Sequence, residues 1–130
     1  MHPASRFGLS TIGQIGFASG DVPRLTAFYR DKLGIPLLFE TANMSFFDCD
    51  GVRLMIGPPE GIERAGNSIL YYKVEDIQSA TGALKSRGVA FQREPHLVAK
   101  MPDHDLWMAF LRDPDENIIG LMSEVKRSST

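Results

Sequence analysis

Asp21-Val22-Pro23-Arg24-Leu25-Thr26-Ala27-Phe28-Tyr29-Arg30-Asp31-Lys32-Leu33-Gly34 and Asp76-Ile77-Gln78-Ser79-Ala80-Thr81-Gly82-Ala83-Leu84-Lys85-Ser86-Arg87-Gly88 are one helix pattern written twice. Each opens on an aspartate whose side chain can accept from the free N–H groups of a first helical turn. Each closes on a glycine, which tolerates the left-handed conformation that ends a helix. Pro23 suits the first turn and Pro36 bars continuation. Val22, Leu25, Phe28, Tyr29, Leu33 and the aliphatic stem of Lys32 recur at helical spacing, as do Ile77, Ala80, Ala83 and Leu84, so each helix buries one face.

The surroundings of the two helices also match. A glycine-weakened strand over 12–18 precedes the first helix, and strands over 37–40, 44–49 and 52–56 follow. Asp50-Gly51 is the hairpin turn between the last two. Residues 69–74 form the strand before the second helix. After it come strands near 89–92, 107–111 and 118–122, the last two flanking the turn Asp113-Pro114-Asp115-Glu116-Asn117. The order β-α-β-β-β therefore occurs twice, over 11–57 and 68–124, within a single domain spanning 1–130. The turn-rich stretch from Gly57-Pro58-Pro59 to Gly66-Asn67 divides the two halves. Two copies make a duplicated module, since an array needs more. A ferredoxin-like β-α-β-β-α-β domain is the alternative, but it needs fewer strands than the two hairpin signals indicate. One stretch has no counterpart in the first half: residues 93–105 read as a long functional loop carrying His96 and His104.

Composition narrows the function classes. With 130 residues, 43% apolar and 23% charged, the chain reads as an ordinary globular domain. Fourteen basic against sixteen acidic residues leave no excess for neutralising phosphates, so nucleic acid is a poor partner. No apolar run reaches the roughly 18–20 residues of a membrane span, and the first twenty residues lack a signal-peptide core. A soluble, cytoplasmic protein is expected. Cys49 is the lone cysteine, which excludes an internal disulfide and reads as a structural thiol.

The doubled order, the run Phe28-Tyr29 to Leu33-Gly34, Val74-Glu75-Asp76-Ile77, and Phe110-Leu111-Arg112-Asp113-Pro114-Asp115-Glu116-Asn117 resemble the glyoxalase / bleomycin-resistance / extradiol dioxygenase superfamily, also called vicinal oxygen chelate proteins. The resemblance covers about residues 11–124. It implies an α+β fold in which two β-α-β-β-β modules turn curved mixed sheets into a cup, commonly with a homodimer. It also implies four metal-ligand positions on cup-facing strands, which map onto Gln14, Leu54, Ile69 and Gly120. Divalent metals there want His, Glu or Gln, and Gln14 alone offers a donor. The expectation is thus a member without most of the usual ligands and without a cofactor, binding a small organic molecule in the cup. One alternative is a lyase, isomerase or dioxygenase-type enzyme that recruits Gln14 with His96 or His104, holding a divalent metal. Another is a dimeric interaction module with a vestigial cavity.

Strand alternation puts Gln14 with Gly16 and Ala18, and Ile69 with Tyr71 and Lys73. Gln14 can hydrogen-bond a ligand above its small neighbours. Tyr71 and Lys73 can recognise a carbonyl or anion, although Lys73 also suits a solvated strand end. His104, between Asp103 and Asp105, and His96 are the candidate acid–base groups, with a solvated loop as the plainer reading. Trp107 offers stacking area at a pocket mouth, or ordinary packing. Met55, Met108 and Met122 can line an apolar cavity.

Overall fold

The computed structural model describes residues 7–59 and 68–127. The stretch expected to divide the modules falls partly on 60–67, outside them. The elements in chain order are β1 (Gln14–Ala18), α1 (Val22–Ala27) with a π-helical continuation (Phe28–Lys32), β2 (Leu37–Glu40), β3 (Ser45–Cys49) and β4 (Val52–Gly57), then β5 (Leu70–Lys73), α2 (Ile77–Ser86), β6 (Phe91–Lys100), β7 (His104–Arg112) and β8 (Ile118–Lys126). They form two four-stranded mixed sheets of identical order, β1-β4-β3-β2 and β5-β8-β7-β6. β1 runs parallel to β4 and β5 to β8, and the other pairs are antiparallel. The β-α-β-β-β duplication holds. Among the described residues no helix is long and apolar enough to cross a membrane.

The local signals act as their chemistry dictates. Asp21 accepts from the Arg24 N–H at 3.2 Å, and Asp76 accepts from the Gln78 and Ser79 N–H groups. Gly34 and Gly88 end the two helices at φ +73° and +85°, where a side chain would be strained.

Two expectations are corrected. The first helix is not one α-helix from cap to stop. After Ala27 it widens into a π turn, with the Leu33 N–H bonded to the Phe28 carbonyl. This turn carries Tyr29, fully buried against Phe17, Phe28 and Phe47. The second correction concerns 93–105, which is not a loop. β6 runs on to Lys100 and β7 begins at His104, leaving only a tight turn at Met101-Pro102-Asp103. β6 is an edge strand and its register shifts three times between Phe91 and Ala99. An edge position with bulges is where Pro95 can sit, because its missing N–H removes no ladder bond.

One core joins the modules. Leu25, Tyr29, Phe47, Leu54 and Ile56 pack in the same cluster as Ile77, Leu84, Ala109, Leu111, Ile119 and Leu121. Polar links cross the same seam. The Tyr29 hydroxyl donates to Asp113 Oδ2 at 2.7 Å, and Arg24 donates to the Pro114 carbonyl at 2.9 Å. Lys32 and Arg87 each donate to the other's carbonyl. Asp113 is itself buried and also accepts from the Asp115 and Asn117 N–H groups and the Asn117 amide, locking the β7–β8 turn.

Burial, then Asp113, pushes the Tyr29 phenol well above the ordinary tyrosine value of 10.0, and burial does the same to Tyr72. Above pH 10 the unfolded chain releases these protons while the folded chain keeps them. Their contribution is therefore present below pH 10 and lost above it. Urea titrations between pH 8 and 11 are expected to show stability falling above pH 10, with a shallower slope in Tyr29→Phe. An unchanged slope in the variant would show that Tyr29 carries none of the dependence.

Candidate functional site

Each sheet has one face on the shared core, and the alternation of its strands fixes what the other face presents. In the first sheet Ile15, Phe17, Phe47, Leu54 and Ile56 turn to the core. The opposite, cup face takes Gln14 and Gly16 from β1, Arg53 and Met55 paired beside them on β4, and Phe46 opposite Met55 on β3. The Gln14 amide donates toward the Met55 sulfur at 3.8 Å. Phe39 stacks on Phe46 at 4.5 Å, and the Arg53 guanidinium lies 5.6 Å from the same ring. Leu54 is thus misassigned by the sequence mapping. It is fully buried in the core, and Arg53 and Met55 hold the cup-facing positions of β4.

In the second sheet Leu70, Tyr72, Trp107, Ala109, Leu111, Ile119 and Leu121 turn to the core. Trp107, expected at a pocket mouth, is a packing residue, since it shares strand parity with Ala109 and Leu111. The cup face carries Tyr71 opposite Gly120, Phe110 opposite Gly120 from the other side, and Met108 between His96 and Met122. The rings of Tyr71 and Phe110 meet edge to face at 6.0 Å, and His96 lies 6.2 Å from Phe110. A Cβ at Gly120 would stand 2.5 Å from Cδ1 of Tyr71, so the tyrosine ring fills the space that a side chain there would need.

The two histidines part company. The Glu94 carbonyl lies 2.8 Å from His96 Nδ1. A carbonyl only accepts, so Nδ1 carries the proton, and in the neutral ring Nε2 keeps its lone pair. His104 sits at the hairpin tip, opposite Lys126, with Nδ1 on the Asp103 carboxylate at 2.7 Å; that bond holds the Asp103 carboxyl below its usual range. His96 pairs with Met108, four residues further along β7, so the strand separates the histidines by about 13 Å. Lys73, the last residue of β5, pairs with Glu124 at 3.2 Å and is largely solvated. Of the residues expected at the site, Gln14, Tyr71 and His96 lie on cup faces, Lys73 and His104 share that parity at strand ends, and Trp107 does not. Phe46, Arg53 and Phe110 were missed, although strand pairing with Met55, Gln14 and Gly120 would have found them.

The Glyoxalase/Bleomycin resistance protein/Dioxygenase superfamily model matches residues 11–121, nearly the whole of the two modules. The chain belongs to this superfamily. A curated relative in sequence, the uncharacterized protein YraH of Bacillus subtilis (strain 168), is 27% identical over 124 residues, covering 82% of this chain and 92% of its own. Among solved structures, a lactoylglutathione lyase from Agrobacterium tumefaciens superposes with a TM-score of 0.74 at 16% identity, covering 89% of this chain and 95% of that one. A glyoxalase/bleomycin resistance protein/dioxygenase from Alicyclobacillus acidocaldarius superposes with a TM-score of 0.70 at 17% identity, covering 88% and 91%. At these identities the likeness establishes the glyoxalase fold shared across the superfamily.

Proposed function

We propose that this chain is a superfamily member that binds a small, largely apolar organic molecule on its cup face without a metal ion. The observation that carries the reading is the Tyr71 ring lying over Gly120, one of the four positions mapped to metal ligands. The cup-facing side chains near the first two positions are an amide (Gln14), a guanidinium (Arg53) and a thioether (Met55), and the third position, Ile69, offers only an alkyl group. This set does not fit a divalent cation, which needs several anionic or imidazole donors. It suits a planar ligand instead. Phe39, Phe46, Tyr71, Phe110 and the methionines supply apolar area, while Gln14 and Arg53 can meet a carbonyl or an anionic group.

A second, enzymatic reading rests on His96, whose bare Nε2 beside Phe110 could take a proton from a bound substrate. His104, at the hairpin tip, is a weaker candidate for that role. The protein is further proposed to be a homodimer, because Leu38, Leu97, Val98 and Val125 stay exposed on an isolated chain.

Elemental analysis with native mass spectrometry tests these points together. The expected result is a mass of two chains and no stoichiometric transition metal. One equivalent of Zn, Ni, Fe or Mn that disappears in Gln14→Ala would overturn the metal-free reading. For ligands found in a compound screen, Gln14→Ala is expected to weaken binding by about 0.5–1.5 kcal/mol, one neutral hydrogen bond. Ligands that shift only amides remote from Gln14, Tyr71 and Phe110 would place binding off the cup.

A further inference from the structure

The cup face of the first sheet is laid out in cross-strand rows. Strand pairing sets Asp48 opposite Arg53 and Arg53 opposite Gln14, so these polar side chains form one row across β3, β4 and β1. Two residues along each strand, Phe46, Met55 and Gly16 form the next row. Neighbouring strands lie about 5 Å apart, and successive rows on one face about 7 Å apart. The face is therefore polar along one line and apolar along the adjacent line, a span that a para-substituted benzoate bridges.

The polar row holds an uncommitted cation. Among the described residues the Arg53 guanidinium has no hydrogen-bond acceptor and no ion pair, although Asp48 stands directly across β3 from it. Asp48 turns its carboxylate to its own hairpin, where it accepts from the Gly51 N–H at 2.8 Å. Arg53 lies instead 5.6 Å from the centre of the Phe46 ring, which Phe39 stacks on at 4.5 Å. A ring contact attracts the cation without consuming its N–H groups, so these donors stay available on a fork that packing holds in place. Beside it, the Gln14 amide has spent one weak bond on the Met55 sulfur and keeps a second N–H. The adjoining floor is open, because Gly16 has no side chain and a Cβ there would meet only the Met55 methyl, at 3.5 Å.

We propose that the cup selects an aryl carboxylate through Arg53, which rests on the cup reading above and fixes the charge of its ligand. The carboxylate accepts from the guanidinium fork and from the Gln14 amide. The ring lies over Gly16, against Met55 and Phe46. An oxygen anion is the fitting group because a guanidinium only donates, and its planar fork matches a carboxylate in two parallel bonds. Asp48 sets a limit on affinity, since its charge opposes that of the ligand from the same row.

The probes are 4-ethylbenzoate, its neutral isostere 4-ethylbenzamide, and acetate, which carries the charge without the ring. Each is titrated against the isotope-labelled full chain by NMR. With 4-ethylbenzoate the amides of Gly16, Arg53 and Met55 are expected to shift, while those of Ala80 and Ala83 on α2 stay fixed. The amide and acetate are each expected to bind about fivefold more weakly. Arg53→Gln is expected to weaken 4-ethylbenzoate about fivefold and 4-ethylbenzamide less than about twofold, since the new side chain still donates to a carbonyl. Arg53→Lys keeps the charge without the fork and is expected to recover part of the loss. Asp48→Asn keeps an acceptor for the Gly51 N–H and is expected to tighten 4-ethylbenzoate about twofold. Gly16→Val puts a β-branched side chain on the floor and is expected to weaken both aryl compounds alike. Thermal unfolding of each variant checks that the fold is retained. Equal affinity for acid and amide, an acid affinity indifferent to Arg53→Gln, or no shift at millimolar 4-ethylbenzoate would overturn the carboxylate assignment and leave the cup reading standing. Shifts confined to amides remote from Gly16, Arg53 and Met55 for both aryl compounds would overturn the two together.

Discussion

Asp113→Ala is expected to destabilise the chain by about 3–5 kcal/mol, because it strands several donors at once. The Asp113 carboxylate accepts from the Tyr29 hydroxyl, two backbone N–H groups and the Asn117 amide. Removing the acceptor leaves the Tyr29 hydroxyl in a fully buried site without a partner, and each such group forfeits its desolvation cost. For a chain of this size the loss corresponds to a fall in Tm of about 10–20 °C. Asp113→Asn retains one carbonyl oxygen and is expected to lose about half as much. Tyr29→Phe removes a single bond and is expected to lose about 1–2 kcal/mol. The Asp113→Ala and Tyr29→Phe losses should not add in the double variant, since both remove the same hydrogen bond across the seam. Full additivity in calorimetry would show that the two modules are not joined through this pair.

Gly120→Ala carries the second large expected effect, and it acts on the candidate site. The new Cβ would meet the Tyr71 ring at 2.5 Å, so the ring must leave its place over β8. Overpacking of this kind costs about 1–3 kcal/mol. Loss of cup binding should accompany it, because Tyr71 would no longer lie against Phe110. In a Tyr71→Ala background the space is open, and Gly120→Ala should then cost close to nothing. Urea unfolding of the four proteins in this cycle measures the coupling. A Gly120→Ala cost that is the same with and without the Tyr71 ring would mean that the ring does not hold that space.

The duplication was legible in the sequence because its signals are local. An aspartate cap bonds N–H groups two or three residues away, a glycine stop needs only its own φ, and Asp50-Gly51 turns at φ 52° and 97° within one hairpin. Those contacts form wherever the chain goes, so residues alone fix the order of elements, and with it the family resemblance. The faces of the strands were legible only in part. Gln14 and Tyr71 fall on the cup face as alternation requires, whereas Leu54 and Trp107 fall on the core face. A strand's parity is fixed by its register with neighbours, and a shift of one residue exchanges its faces. β6 shows the limit most clearly: three register shifts remove its period of two, so 93–105 read as a loop. The Tyr29–Asp113 bond spans 84 residues, Tyr71 covers Gly120 across two strands, and Tyr72 on β5 meets Cys49 on β3 across the seam between modules. Each depends on the packing of one module or sheet strand against another. That packing is set by shape and burial in three dimensions, which residue spacing along the chain does not encode.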